Sequence, residues 1–210
     1  MLSRWTALSL CLCLAPLPAS AHPHVWTDYW IEAIADPSGI TELRLTWRFD
    51  TMFSTMVRND LKVTTLTPDA IKKIRDKAFS NLKSFNYYTY VTTDGVAWRP
   101  DTVKDFTART HGEQLEYSFT IPLPKPAQSV EVSLYDEELY VDIGPPMTDD
   151  GAKSSLMAAV EPVAQQYVSA TGRNGASQPV CVQRQGKTMN NPMWGDFKTF
   201  IASCQVAAKP

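Results

Sequence analysis

Two histidines separated by one proline, His22-Pro23-His24, carry the strongest chemical signal in this sequence, and they follow directly on Ala19-Ser20-Ala21. Those three residues form an A-x-A peptidase site. Arg4 supplies a positive n-region, and Leu8 to Leu17 an apolar segment too short to span a bilayer, so residues 1–21 read as a cleaved secretory signal. Cleavage after Ala21 makes His22 the amino-terminal residue, whose α-amine and ring Nδ1 can close on one metal ion. Pro23 biases the residue before it toward an extended backbone. In an extended chain, side chains two apart share a face, about 6.5 Å apart at the backbone. Two imidazoles at that spacing can meet on one ion, with bonds of about 2 Å. Proline has no N–H, which rules out the amino-terminal copper motif built on deprotonated amides. Asp28 has the same parity but lies about 13 Å from His24 along a strand. The competing reading is an exposed terminus that carries histidines by chance.

Such a site needs a platform, and the sequence after it reads as strands. Val25, Thr27, Tyr29, Ile31 and Ala33 alternate with Trp26, Asp28, Trp30 and Glu32. After the turn cluster Asp36-Pro37-Ser38-Gly39, Leu43, Leu45, Trp47 and Phe49 face one way and Glu42, Arg44, Thr46 and Arg48 the other. The tryptophans read as core. Thr67 as N-cap, Pro68 at the first helical position, and Ile71, Ile74, Ala78 and Leu82 predict one main helix, over about residues 67–83. Tyr87 to Thr93 and Val96 to Trp98 predict a hairpin across Asp94-Gly95; Val103 to Thr110 and Gln114 to Ile121 predict a second across His111-Gly112. Pro122 to Pro126 reads as a rigid connection, and Val130, Val132 and Leu134 as the next strand. The fold class expected is β-rich α+β, an antiparallel sheet or sandwich with that one helix.

Removing 21 of 210 residues leaves 189, enough for one domain, with a less regular part expected from about residue 145. The mature chain keeps 19 Lys and Arg against 22 Asp and Glu, so no basic surplus points to nucleic acid or anionic lipid. No integral membrane segment is expected in it. Cys11 and Cys13 leave with the signal. Cys181 and Cys204 remain, an even pair in an oxidising compartment, and predict one disulfide.

Four motifs in order then resemble a known family. His22-Pro23-His24-Val25-Trp26 follows the signal. Next come Trp47-Arg48-Phe49-Asp50 with Phe53-Ser54, then Asn86-Tyr87-Tyr88-Thr89-Tyr90, then Tyr135-Asp136 with Tyr140-Val141-Asp142. Over Ala21 to Pro146 the chain is similar to the DUF1007 family. That resemblance implies a periplasmic component of an uncharacterised transport system associated with nickel/cobalt-type transporters of the inner membrane. Many members carry an acidic D-x-D-x-D-G run before the helix. Val63-Thr64-Thr65-Leu66-Thr67 stands there instead, so no calcium site is expected.

Carboxylates at strand ends could complete a mixed nitrogen and oxygen metal shell, and Asp50 and Asp136 are the candidates because they sit in the shared motifs. Taken singly, each fits backbone capping better. His111 reads as an exposed turn residue. The chain has no GxSxG, HExxH, phosphate loop or reactive cysteine context, and no catalytic residue is assigned. The expected function is a periplasmic accessory protein, not an enzyme. His22 and His24, with Asp50 or Asp136, would hold a divalent transition metal (nickel, cobalt, zinc or copper) and present it to an inner-membrane transporter. Two alternatives come from other classes: a copper redox enzyme using His22 and His111 as a histidine brace, and a metal-free docking module for an envelope protein.

Overall fold

The computed structural model describes residues 25–144, 167–192 and 195–207. It is β-rich α+β, with a mixed sheet and an antiparallel sheet. Strands β1 (Val25–Asp36) and β2 (Gly39–Phe49) pair as expected, with Thr27 opposite Phe49 and Ile31 opposite Leu45. Their inward residues Tyr29, Ile31, Leu43, Leu45 and Trp47 are at most 1% exposed, which is the burial that their alternation predicts. Strands β3 (Thr89–Thr93) and β4 (Val96–Trp98) form one hairpin, and β5 (Lys104–His111) and β6 (Gln114–Ala127) the other. After β7 (Ser129–Leu134) come β8 (Val141–Gly144), β9 (Val168–Gly172), β10 (Val180–Asn191) and β11 (Gly195–Gln205).

The first sheet runs β5-β6-β2-β1-β8, with β9 also on β1; the second runs β10-β11-β7-β3-β4. Both β8 and β9 pair with β1 in parallel, which makes this sheet mixed where an antiparallel one is expected. A parallel partner needs a long return path, so local alternation gives no sign of it. Tyr29, Leu45 and Phe119 of the first sheet join Val91, Val132 and Ala202 of the second in one apolar cluster. Cys181 and Cys204 lie opposite each other on β10 and β11 and form the expected disulfide. Closing that loop contributes roughly 3 kcal/mol on the chain-entropy estimate.

Three differences from the sequence expectation have local causes. Helix α1 (Thr51–Leu61) follows β2 directly, where no helix is expected. Helix α2 (Pro68–Lys77) has the Thr67 cap and Pro68 start but ends early, giving way to a 3-10 segment, Phe79–Tyr88. There Ser80 Oγ donates to the Asp76 carbonyl at 2.9 Å and Asn81 Nδ2 to that of Lys77 at 3.1 Å, in competition with the helical ladder. Strand β6 continues through Pro122, Pro124 and Pro126, because β5 leaves it after Lys104 and Thr120. On that side the proline nitrogens have no ladder partner to deny.

The β1–β2 connection demands a glycine. Gly39 has φ 135°, and a Cβ there would stand 2.7 Å from the Ala127 carbonyl oxygen. Gly39→Ala should therefore lower stability by roughly 1–3 kcal/mol. Urea unfolding measures this, and an unchanged midpoint would contradict the turn geometry.

Candidate functional site

Asp50 caps α1 and also grips β1. Its Oδ1 accepts from Phe53 N–H at 2.8 Å and its Oδ2 from Trp26 N–H at 2.9 Å. The Asp50 N–H in turn donates to the Trp26 carbonyl at 2.9 Å. The second residue of β1 is thus held from both its donor and its acceptor. The rest of this motif packs or satisfies amides. Phe53 meets Phe49 at 4.8 Å between ring centroids, and the fully buried Ser54 Oγ accepts from Leu115 N–H at 2.8 Å.

Asp136 performs the same task for β8. Its Oδ1 accepts from Glu138 N–H at 3.0 Å, and its Oδ2 from Tyr140 and Val141 N–H at 3.0 and 3.1 Å. Those bonds fold the chain around the carboxylate, with Leu139 at φ 56°, and deliver Val141 to its place opposite Val25. Both aspartates are buried, at 9% and 7% exposure, so an unmet carboxylate there would be costly; backbone donors meet it instead.

The third motif adjoins the second. Asn86, Tyr87 and Tyr88 are consecutive left-handed residues, at φ 51°, 53° and 48°. Two of them are bulky tyrosines, for which that conformation is costly. Asn86 Nδ2 donates to the Pro100 carbonyl at 3.0 Å, and Tyr135 N–H to that of Tyr88 at 3.1 Å. Tyr88 lines a cleft of about 190 Å³ with Phe85, Tyr90, Arg99, Asp136 and Glu138. Burial first, then the nearby Asp136 and Glu138 carboxylates, push its phenol up to about 12. Tyr90 stacks on Tyr135 at 3.9 Å, donates to Glu137 at 2.9 Å, and carries the Arg99 guanidinium 3.6 Å above its ring.

His22 and His24 lie outside the described residues. The two motif aspartates converge on the start of β1, Asp50 through Trp26 and Asp136 through the strand beside Val25. His111 is an exposed residue of the β5–β6 turn, as expected. It sits three strand positions from β1, about 14 Å at ordinary strand spacing. Among the described residues no group of three or more His, Cys, Asp or Glu is placed to hold a metal, and no helix is long and apolar enough to cross a membrane. The capping role expected of Asp50 is the one it has, but helix α1 itself escaped the sequence reading, although Ser54, Val57 and Leu61 at helical spacing after that cap carried its signal.

The fold and this site define a two-sheet α+β protein whose shared motifs gather where β1 begins. The chain belongs to the family described as "Protein of unknown function (DUF1007)", whose model matches residues 7–174. No curated protein matches the chain.

Asp136→Ala leaves three backbone N–H groups without their acceptor and should cost roughly 2–4 kcal/mol. The Tyr140 and Val141 amides should then exchange hydrogen faster than those of β2; unchanged protection would show that the carboxylate does not hold β8. Tyr88 gives a pH signature. The folded state keeps its proton to about 12, whereas an unfolded tyrosine loses it near pH 10. Its contribution is therefore complete below pH 10 and lost as pH rises to about 12. Denaturant titrations from pH 9 to 12 should show that loss shrinking in Tyr88→Phe, and equal slopes in the two proteins would refute it.

Proposed function

We propose that this protein is a periplasmic accessory protein, not an enzyme, that captures a divalent transition metal and presents it to an inner-membrane transporter. His22 contributes its α-amine and ring, and His24 a second ring. The observation that carries this reading is the double clamp at the base of the segment, where Asp50 holds both backbone groups of Trp26 and Asp136 pins β8 against Val25. A chelating terminus loses less entropy on binding when the chain beneath it is already fixed. Asp50 and Asp136 thus act as positioning residues, their oxygens committed to backbone amides.

The A-x-A site supports export, and the Cys181–Cys204 disulfide is compatible with an oxidising compartment. Nickel, cobalt, zinc and copper all accept amine and imidazole nitrogen, and affinity alone favours Cu(II). The choice of cargo then rests on supply and on the transporter.

Calorimetric titration of the processed protein tests the reading. Metal competes with protons at imidazoles and an amine whose reference pKa values are about 6.5 and 7.7–8.0, so affinity should fall steeply between pH 7.5 and pH 5.5. An added N-terminal glycine displaces the amine while leaving both rings, and should weaken binding at each pH without abolishing it. His22→Ala and His24→Ala should each weaken it further. Binding that ignores acid, the glycine and both substitutions would overturn the proposal.

A further inference from the structure

We infer that the outer face of the second sheet binds a small organic dicarboxylate between Arg99 and Lys187. The inference draws on no residue of the amino-terminal segment and is independent of the histidine reading. Thr89, Val91 and Thr93 of β3 turn into the core, which sends Tyr90 and Thr92 to the outer face. Ser133 on β7 stands opposite Tyr90, and Ala97 on β4 opposite Thr92. Beside the bulky tyrosine those short side chains leave a cleft of about 390 Å³. That volume is within the range of small-molecule sites, about 300–1,000 Å³. Val91, Val132 and Ile201 also line it, so its middle is largely apolar. Tyr90 and Tyr135 form one wall, stacked at 3.9 Å with their planes 3° apart.

A cation reaches this wall from each end of the sheet order, β4 and β10. Arg99 follows β4, and its guanidinium lies 3.6 Å over the Tyr90 ring, where one N–H donates to the Phe85 carbonyl at 3.4 Å. Lys187 belongs to β10, and its ammonium is 5.7 Å from the Tyr135 ring centroid. The strand bulges at that point. Gln185 pairs with Phe200 and Thr188 with Lys198, so Gly186 and Lys187 together oppose Thr199. Thr199 Oγ1 donates to the Lys187 carbonyl at 3.0 Å, and a Cβ on Gly186 would collide with that hydroxyl. Among the described residues neither cation has a carboxylate at ion-pair distance. Glu131, which also lines the cleft, is taken by Arg184 at 2.7 Å. Two uncompensated positive charges therefore flank an apolar floor. With Tyr135 on one face of Tyr90 and Arg99 on the other, the ring offers a ligand its edge, the positive part of its quadrupole. The remaining guanidinium N–H groups suit a carboxylate, which they can grip in pairs. Two carboxylates on a hydrocarbon body meet all of these features. Inorganic phosphate gathers its charge at one point and leaves the second cation and the apolar floor unused.

Adipate serves as the probe, with acetate and inorganic phosphate beside it, followed by calorimetry and by amide shifts in nuclear magnetic resonance on the processed full chain. Adipate should give saturable shifts centred on Tyr90, Ser133 and Lys187, and bind about tenfold more tightly than acetate or phosphate. Arg99→Gln and Lys187→Gln should each weaken adipate binding roughly tenfold, since each removes one charge-assisted contact. Lys198→Gln makes the same change in net charge outside the cleft and should leave binding at the wild-type level. Circular dichroism establishes that each variant is folded. The inference is overturned by an absence of saturable shifts in wild type up to about 10 mM adipate, a concentration that would still reveal millimolar affinity. Equal adipate affinity in wild type, Arg99→Gln and Lys187→Gln would overturn it as well, and phosphate binding as tight as adipate would overturn the dicarboxylate assignment.

Discussion

A buried backbone N–H or C=O needs a partner, and β1, in the interior of its sheet, finds partners along both edges. Strand β2 takes one edge through most of its length. The other edge is shared: β8 pairs with Val25 to Asp28, and β9 with Ile31 to Ala35, both in parallel. The Ile31 N–H meets the Tyr167 carbonyl at 2.9 Å where β9 arrives. Residues 141–144 and 168–172 thus act as two lengths of one edge. The Asp136 carboxylate is what sets the first of them, because it fixes the turn that places Val141. Without that turn Val25 and Trp26 would face solvent along one side, and the platform under the amino-terminal segment would be lost.

Buried carboxylates recur in this chain with two kinds of partner, and the difference separates support from surface pairing. Asp50 and Asp136 are met by backbone N–H groups, which cannot move without unfolding the local chain. Glu116 is only 2% exposed but lies on the outer side of the first sheet, between Arg48 at 3.0 Å and Arg109. Arg48 also covers the Trp30 ring at 4.7 Å. Removing either arginine leaves a desolvated charge with half its compensation, so this trio resists substitution without adding much net stability. It ties β5, β6 and β2 together beside the site.

The sequence made most strands legible because burial on a two-residue period leaves a direct trace. Leu43, Leu45, Trp47 and Phe49 are the clearest case, and all four are buried. Thr67 and Pro68 mark α2 for a similar reason, since the cap and the missing N–H act locally. What escaped was set by distance or competition. The parallel partners of β1 come from more than a hundred residues away. Helix α1 holds a buried serine and two exposed methionines, so an apolar count does not show its buried face, although its cap does. The early end of α2 is decided by serine and asparagine side chains that bond back to carbonyls. For the site, sequence alone singled out Asp50 and Asp136 together with their capping role. It did not reveal that both support the same end of β1.

That convergence changes how the shared motifs should be weighed. Trp47, Phe49 and Phe53 build core, Ser54, Asp50 and Asp136 satisfy amides, and the strained Asn86 to Tyr88 turn leads the chain into β3 beside Asp136. A residue's presence in such a motif is therefore weak evidence of chemistry, because packing and amide pairing account for most of the pattern. Chemistry is better sought where alternation directs a metal-ligating side chain out of the core, above a backbone that is already fixed. Along β1 that criterion selects the outer face at Trp26, whose backbone is held by Asp50 on one side and by β8 on the other.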